Sequence, residues 1–175
     1  WSERFDKGIK GAIPKARSFS SDQIDAKIKH QSRMNMNLAE MEAWDIEEGA
    51  YPVMLDTAGN LTEGTINSVF LVSNGVLKCP TDSAILQSLS RWTVRDLADQ
   101  LGIPVEEGDL QPYDLYTADE AFIAFTGPCV LPMTTVDRRE IGNGKPGPIT
   151  LQLLAAWSER AGIDIVGQAQ RHGGG

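Results

Sequence analysis

The sequence predicts a mixed α/β domain, and three observations indicate this class. Hydrophobic residues make up 41% of the 175 residues, which is enough for one domain with its own core. The predicted strands and helices alternate irregularly, whereas a doubly wound parallel sheet needs regular alternation. The apolar runs 68–72 and 76–78 are separated by a short turn at Ser73, Asn74 and Gly75, so these strands are expected to be antiparallel.

The first half of the chain is predicted to hold one long helix and the start of the sheet. Residues 32–48 are predicted to be helical, with Gly49 as the stop and an apolar face formed by Met34, Leu38, Met41 and Trp44. Residues 51–56 are predicted to form a strand, and 57–60 a tight turn that leads toward the hairpin.

The second half is predicted to contain two helices and the rest of the sheet. A helix is expected over 90–100, capped by Ser90, with an apolar face at Trp92, Val94, Leu97 and Leu101. A short strand follows residues 103–105, and the apolar run 120–125 predicts a strand buried on both faces. Residues 130–136 continue the sheet, 137–147 form a loop, and 149–161 form a last helix with Leu151, Leu154 and Trp157 facing inward.

Composition excludes several classes of function. The net charge is −8 and no segment is rich in Lys or Arg, which argues against a nucleic-acid partner. Two cysteines and two histidines make a disulfide framework or a histidine-rich metal site improbable. No apolar run is long enough for a membrane span, and reduced thiols favour the cytoplasm.

Lys29 is the first candidate for chemistry. It lies where an extended stretch meets the first predicted helix, and a lysine held inside a site can act as an amine nucleophile. The alternative is an ordinary solvated charge, which describes most lysines. Glu63 is a second candidate, because a carboxylate held in a turn can pair with a protonated ring nitrogen, although a solvated turn residue is also possible.

Four other residues have both a structural and a functional interpretation. Ser90 is either a helix cap alone or part of an anion site together with the backbone amide of Leu89. Thr126 either terminates a strand or presents a hydroxyl to a cleft at the strand end. Arg33 is either a solvated charge or, if it faces inward, a donor to an anionic oxygen near Lys29.

Taken in order, these motifs are more specific than each one alone. Lys29 is followed by Leu61-Thr62-Glu63-Gly64, then Leu86-Gln87-Ser88-Leu89-Ser90-Arg91, then Asp119-Glu120-Ala121-Phe122 and Gly147-Pro148-Ile149-Thr150. This order resembles the class IV aminotransferases, which are fold-type IV pyridoxal-phosphate enzymes and include branched-chain and D-amino acid aminotransferases. The resemblance implies that 1–175 is the family's large, cofactor-binding C-terminal domain, with 1–10 and 170–175 at its periphery and the N-terminal domain absent from this chain.

The resemblance also implies a role for each candidate. Lys29 is similar to the Schiff-base lysine that also shuttles the proton, and Glu63 to the partner of the pyridine nitrogen. Leu89, Ser90 and Thr126 resemble the phosphate-binding residues, and Arg33 is assigned a further cofactor-binding role. Two departures stand out: Ser88 replaces a glycine of the usual Gly-Ile-Thr-Arg motif, and the asparagine after the Glu-Gly pair is shifted by one position, to Asn67.

The function implied is a pyridoxal 5'-phosphate-dependent aminotransferase, expected as a homodimer, that moves an amino group between an amino acid or amine and a 2-keto acid. A lyase of the aminodeoxychorismate lyase type is one alternative, because Arg33 lies where such members also carry arginine. A non-catalytic relative or inactive fragment is the other alternative.

Overall fold

One mixed β-sheet organises the chain in the computed structural model, which describes residues 2–83 and 85–172. Its strands in chain order are β1 (Ile9–Ala12), β2 (Tyr51–Pro52), β3 (Ser68–Ser73), β4 (Val76–Pro80), β5 (Val105–Gly108), β6 (Glu120–Phe125), β7 (Cys129–Val136) and β8 (Arg139–Glu140). They lie side by side in the order β2-β1-β7-β6-β3-β4-β5, and β8 pairs with β7 beside this path. The pairs β1–β2, β1–β7 and β4–β5 are parallel and the others are antiparallel.

Helices precede, connect and follow these strands. Their bounds are α1 (Ser2–Lys7), α2 (Met34–Ile46), α3 (Leu89–Gln100), α4 (Pro112–Tyr116), α5 (Pro148–Ala161) and α6 (Ile165–His172). The main core lies where α3 and α5 pack on β6 and β7, and the rings of Phe70 and Phe122 stack there at a centroid distance of 5.0 Å. Within the described ranges, no helix has the length and apolar character that crossing a membrane requires.

The centre of the sheet confirms the sequence prediction. Leu71 pairs with Lys78 and Ser73 with Val76, so β3 and β4 form the expected antiparallel hairpin. All six residues of β6 are buried, because β6 lies between β3 and β7 and is covered by helices. The predicted strand over 51–56 is shorter, since beyond Val53 the chain leaves β1 and Met54 instead exchanges hydrogen bonds with Thr62 and Glu63.

The N-terminal segment is not peripheral, and the expectation for residues 1–10 is wrong for the part that the structure describes. Phe5 of α1 is buried in the core, and Ile9 of β1 pairs with Met133 of β7. The segment is drawn inward because β1 fills the place between β2 and β7. At the other end, residues 170–172 are exposed at the end of α6, and 173–175 lie outside the described residues.

The N-cap of α3 is Ser88, so the prediction that Ser90 caps this helix is wrong. Ser88 has extended backbone angles, and its Oγ accepts a hydrogen bond of 3.1 Å from the Arg91 amide, as an N-cap side chain does. Val94 and Leu97 are buried as predicted, whereas Trp92 is exposed. Residues two apart on a helix do not share a face, which is why Trp92 and Val94 cannot both point inward.

The apolar face predicted for α2 is exposed, which corrects the expectation that it packs inward. Met34 and Met41 are 76% and 67% exposed, and Leu38 and Trp44 are also exposed. The helix instead packs through its alanines, with Ala39 and Ala43 fully buried, since small side chains let it lie close to β1 and β2. In α5 the same correction applies to Leu151, which is exposed while Leu153 and Leu154 are buried.

Candidate functional site

All six residues singled out from the sequence line one cleft of about 370 Å³. Four separate segments meet there: the loop before α2, the turn before β3, the N-terminus of α3 and the end of β6. They contribute, in chain order, Lys29, Arg33, Glu63, Leu89, Ser90 and Thr126. Segments that are far apart in the sequence thus converge on one surface depression.

Lys29 reaches the cleft from an exposed loop five residues ahead of α2. Among the described residues its Nζ makes no hydrogen bond and no ion pair. Its neighbour Lys27, by contrast, pairs with Asp25 at 3.0 Å. Lys29 is therefore an amine at the mouth of the cleft that is not engaged by the protein itself.

Glu63 lines the same cleft from the turn before β3. Its Oε1 accepts a hydrogen bond of 3.3 Å from the Leu86 amide. Burial raises the pKa of the Glu63 carboxyl to about 7, although that hydrogen bond and the charges of Arg33 and Arg91 oppose the rise. A carboxyl group in this state gives up its proton readily when a positive charge comes close, so it suits a protonated ring nitrogen.

The N-terminus of α3 presents open backbone amides to the cleft. Ser88 accepts a hydrogen bond from the Arg91 amide through its Oγ and one from the Trp92 amide through its carbonyl. The amides of Leu89 and Ser90 have no partner among the described residues. The Leu89 side chain is 85% exposed and contributes only its backbone, whereas Ser90 is 7% exposed and its hydroxyl lies in the lining. Such a helix end favours an anion.

Arg33 and Thr126 complete the lining. The Arg33 guanidinium donates a hydrogen bond to the Thr65 carbonyl and is half-buried, so this arginine faces the cleft and is not a solvated charge on the outer face of α2. Thr126 directly follows β6 and is exposed in the turn that leads into β7. Its hydroxyl therefore lies at the strand end, where the sequence places it.

Three contributors to the cleft have no role in the sequence interpretation. Leu86 supplies the amide that holds Glu63, and Ser68 Oγ lies 3.1 Å from Ser88 Oγ, which ties β3 to the start of α3. Asn67 is buried in the lining, and neither of its side-chain polar atoms has a partner among the described residues. The one available signal was the asparagine shifted by one position after the Glu-Gly pair, a departure that the sequence left without a role.

The comparison with protein families shows which family this chain belongs to. A profile described as amino-transferase class IV matches residues 1–136. The chain belongs to the class IV aminotransferase family. The family and the fold-type IV architecture predicted from the sequence are confirmed.

Named relatives of this class IV chain support the assignment. The chain is 36% identical over 141 residues to the branched-chain-amino-acid aminotransferase of Pseudomonas aeruginosa, which covers 79% of this chain and 44% of that protein. It is 36% identical over 108 residues to the D-alanine aminotransferase of Listeria monocytogenes, covering 61% and 37%. The chain spans about half the length of the curated relatives it matches.

The fold of the class IV chain also matches solved structures. It superposes with a TM-score of 0.82 and 32% identity on the branched-chain amino acid aminotransferase of Thermobaculum terrenum, which was solved in its PLP-form. The match covers 94% of this chain and 53% of that protein. The described sheet and helices therefore correspond to about half of a fold-type IV enzyme.

Proposed function

We propose that this class IV chain is the cofactor-binding part of a pyridoxal 5'-phosphate-dependent aminotransferase, which moves an amino group between an amino acid or amine and a 2-keto acid. One observation carries the proposal. A single cleft brings together a lysine that has no partner among the described residues, a carboxyl group with a raised pKa and the open N-terminus of α3. The names of the relatives support amino transfer as the reaction.

The donors and acceptors of the cleft fit the charges of this cofactor. We assign its phosphate to the backbone amides of Leu89 and Ser90 and the Ser90 hydroxyl, because the dipole of α3 favours negative charge there. Thr126 adds a second hydroxyl at the end of β6. We assign the ring nitrogen to Glu63, whose charge would complement a protonated ring.

When bound, the cofactor supplies an electron sink for the negative charge that develops on the substrate carbon. Lys29 would hold the cofactor through its Nζ amine, and the same amine would take and return the proton of that carbon. Glu63 keeps the ring nitrogen protonated through a charge-assisted hydrogen bond. Arg33, whose guanidinium is turned into the cleft, presents positive charge to an anionic oxygen beside Lys29.

We also propose a cytoplasmic homodimer that takes a small amino donor and a keto acid. The resemblance to fold-type IV enzymes supports the dimer, and the free thiols of Cys79 and Cys129 support a reducing compartment. The relatives are named for branched-chain amino acids and for D-alanine, so their names agree on the reaction and differ in the substrate. The proposal therefore commits to an amino acid and a keto acid as a class.

A lyase on the same scaffold is the second candidate, and the inward position of Arg33 favours it. The two reactions differ in their need for an acceptor. An aminotransferase turns over only when a keto acid is present to take the amino group, whereas a lyase continues without one. Product analysis with and without 2-oxoglutarate therefore separates them.

The absorption spectrum of the full-length protein tests the proposal directly. Added pyridoxal 5'-phosphate should give a visible band that is lost in Lys29→Ala and retained in Lys27→Ala, a matched exposed lysine two residues away. No band in the unmodified protein would reject the enzyme and leave the inactive relative. A band that persists in Lys29→Ala would assign the covalent role to another residue.

A further inference from the structure

Asn67 is a buried side chain that the cleft leaves without a partner. It is 4% exposed and lines the cleft, yet neither Oδ1 nor Nδ2 makes a hydrogen bond among the described residues. Because both atoms are unpaired, this holds whichever way the amide is oriented. Buried polar side-chain atoms are paired in the large majority of cases. A carboxamide that lacks both partners and borders a cleft therefore points to a ligand group.

A tight turn holds this carboxamide in place. The Gly64 amide donates to the Asn67 carbonyl at 2.9 Å, and Glu63 pairs with Ser68 across the same turn. The carboxamide rests directly against Gly64, where an added Cβ would lie 2.5 Å from Oδ1 and 2.7 Å from Nδ2. Glycine at 64 thus leaves the space that the Asn67 side chain occupies, and a larger residue there would displace it.

The position of Asn67 limits what it can bind. Four residues earlier lies Glu63, assigned to the ring nitrogen, and the adjacent Ser68 contacts Ser88 at the start of α3, assigned to the phosphate. Asn67 therefore belongs to the short segment that joins the wall assigned to the ring nitrogen to the wall assigned to the phosphate. A neutral carboxamide can donate to an oxygen there without adding charge to a site that already contains Glu63.

We infer that Asn67 is a further cofactor-binding residue of this cleft, whose carboxamide N–H donates to an oxygen of bound pyridoxal 5'-phosphate. The inference rests on the proposed function, since it takes the cofactor as the ligand. Two oxygens offer the same chemistry, the ring hydroxyl and the phosphate, and both are acceptors. Binding of pyridoxal, which lacks the phosphate, and of inorganic phosphate distinguishes them.

The test uses the full-length protein with Asn67→Leu, which keeps the branching at Cγ and removes both polar atoms. Asn37→Leu is the matched control, because Asn37 lies outside the cleft on the exposed side of α2. Dissociation constants for pyridoxal 5'-phosphate, pyridoxal and inorganic phosphate are measured by fluorescence quenching and competition, and thermal unfolding is followed without ligand. We expect Asn67→Leu to weaken pyridoxal 5'-phosphate binding about tenfold. Its unliganded Tm should not fall, since an unpaired polar group has been replaced by an apolar one.

The outcomes separate the inference from the proposed function. Weaker pyridoxal binding assigns the ring hydroxyl, and weaker inorganic phosphate binding with unchanged pyridoxal binding assigns the phosphate. Unchanged affinity for pyridoxal 5'-phosphate in Asn67→Leu, with or without a lower Tm, overturns the inference. Failure of the unmodified protein to bind this cofactor overturns the proposed function instead, and the inference with it.

A second pair of variants keeps the test decisive if Asn67→Leu does not fold. Gly64→Ala places a methyl group where the carboxamide now rests, and Asn67→Ser shortens the side chain out of reach. Both should reproduce the loss of cofactor affinity. Full affinity in either variant counts against Asn67 as a ligand.

Discussion

The two walls of the cleft are built in different ways. On the α3 side the chain holds itself in place: Ser88 caps the helix, and the buried Arg91 bonds to the Pro80 carbonyl and to Asp82. On the α2 side Lys29 lies on an exposed loop without a partner among the described residues, and Arg33 makes one bond to the Thr65 carbonyl. The difference suggests two tasks, because the fixed wall sets the shape of the site and the exposed wall carries the amine that we propose as the reactive one.

The helices behind these walls repeat the contrast. α3 buries Val94, Leu97 and Ala98, whereas α2 fully buries only Ala39 and Ala43. The four large apolar residues predicted to face inward from α2 are exposed: Met34, Leu38, Met41 and Trp44. The two helices have similar apolar spacing in the sequence, but the apolar positions of α3 are largely buried and those of α2 are largely exposed. Stability should depend on α3 far more than on α2, and activity should depend on the loop in front of α2.

Replacing Lys29 gives the largest expected effect and tests the division of tasks. Lys29→Ala should lower aminotransferase turnover of the full-length protein about a thousandfold, because the proton shuttle is lost. Its free energy of unfolding should change by less than about 0.5 kcal/mol, since Nζ has no partner to lose among the described residues. Turnover assays and urea denaturation measure the two quantities, with Lys27→Ala as the control. A stability loss above about 1 kcal/mol would show that the exposed wall is also structural.

Replacing Arg91 tests the fixed wall. Arg91→Met should lower the free energy of unfolding by about 3 kcal/mol, because it leaves the Pro80 carbonyl and Asp82 without their buried partner. Arg95→Met is the matched control one turn later. Arg95 is more exposed and pairs with Glu107, so its loss should cost less than about 1 kcal/mol. Equal losses of unfolding free energy in the two variants would show that Arg91 stabilises the fold no more than Arg95 does.

The pH dependence of stability tests Glu63 between the two walls. Its pKa is raised from 4.5 to about 7, so the folded state keeps this proton to higher pH than the unfolded state does. Stability without cofactor should therefore fall by roughly 3 kcal/mol as pH rises from about 4.5 to about 7, and then level off.

Glu63→Gln is the comparison for this profile, because its amide oxygen can still accept from Leu86. The variant should lose the fall in stability between these pH values when both proteins are denatured with urea across this range. Identical profiles for the two proteins would mean that the carboxyl group titrates normally.

The smallest effect is expected on the exposed face of α2. Met41→Ser in the 175-residue chain should change the free energy of unfolding by less than about 0.5 kcal/mol, because the side chain is 67% exposed. Leu97→Ala in α3 should cost about 2–5 kcal/mol, since that side chain is buried. Comparable losses in urea denaturation would contradict the contrast between the helices.

The sequence predicts the parts of the fold that depend on local pattern. The run over β6 is apolar at nearly every position, and the short turn between β3 and β4 allows only an antiparallel hairpin, so both are recognisable without long-range information. Which side of α2 is buried could not be predicted in this way, because regular apolar spacing looks the same whether the apolar side packs on the sheet or is exposed. The buried side is the one with Ala39 and Ala43, but alanine is common on either face of a helix and does not mark it.

β1 is the element that local pattern could not predict. It has four residues, and its partners Met133 and Tyr51 lie far along the chain. Parallel pairing of this kind is decided by packing between distant segments. The same reason explains why residues 1–10 were expected at the periphery.

The candidate site could be located because its residues follow a recognisable order. Lys29, Glu63, Ser90 and Thr126 each stand beside a turn or helix end that the sequence marks, and all four line the cleft. The sequence marked Asn67 only as an asparagine displaced by one position from the family's order, and no role followed from that. Its importance comes from being buried with unpaired atoms, which is a property of the folded chain.

The position of β1 between β2 and β7 has a consequence for how the protein is made. β1 forms parallel pairs with both β2 and β7, and the loop that carries Lys29 leaves directly from its C-terminal end. A growing chain on the ribosome cannot complete these pairs until the residues of β7, up to Val136, have emerged from the exit tunnel. Pairing over such separations is slow to form. Lys29 therefore reaches its place only late in biosynthesis, after the hairpin and α3 have had the opportunity to fold.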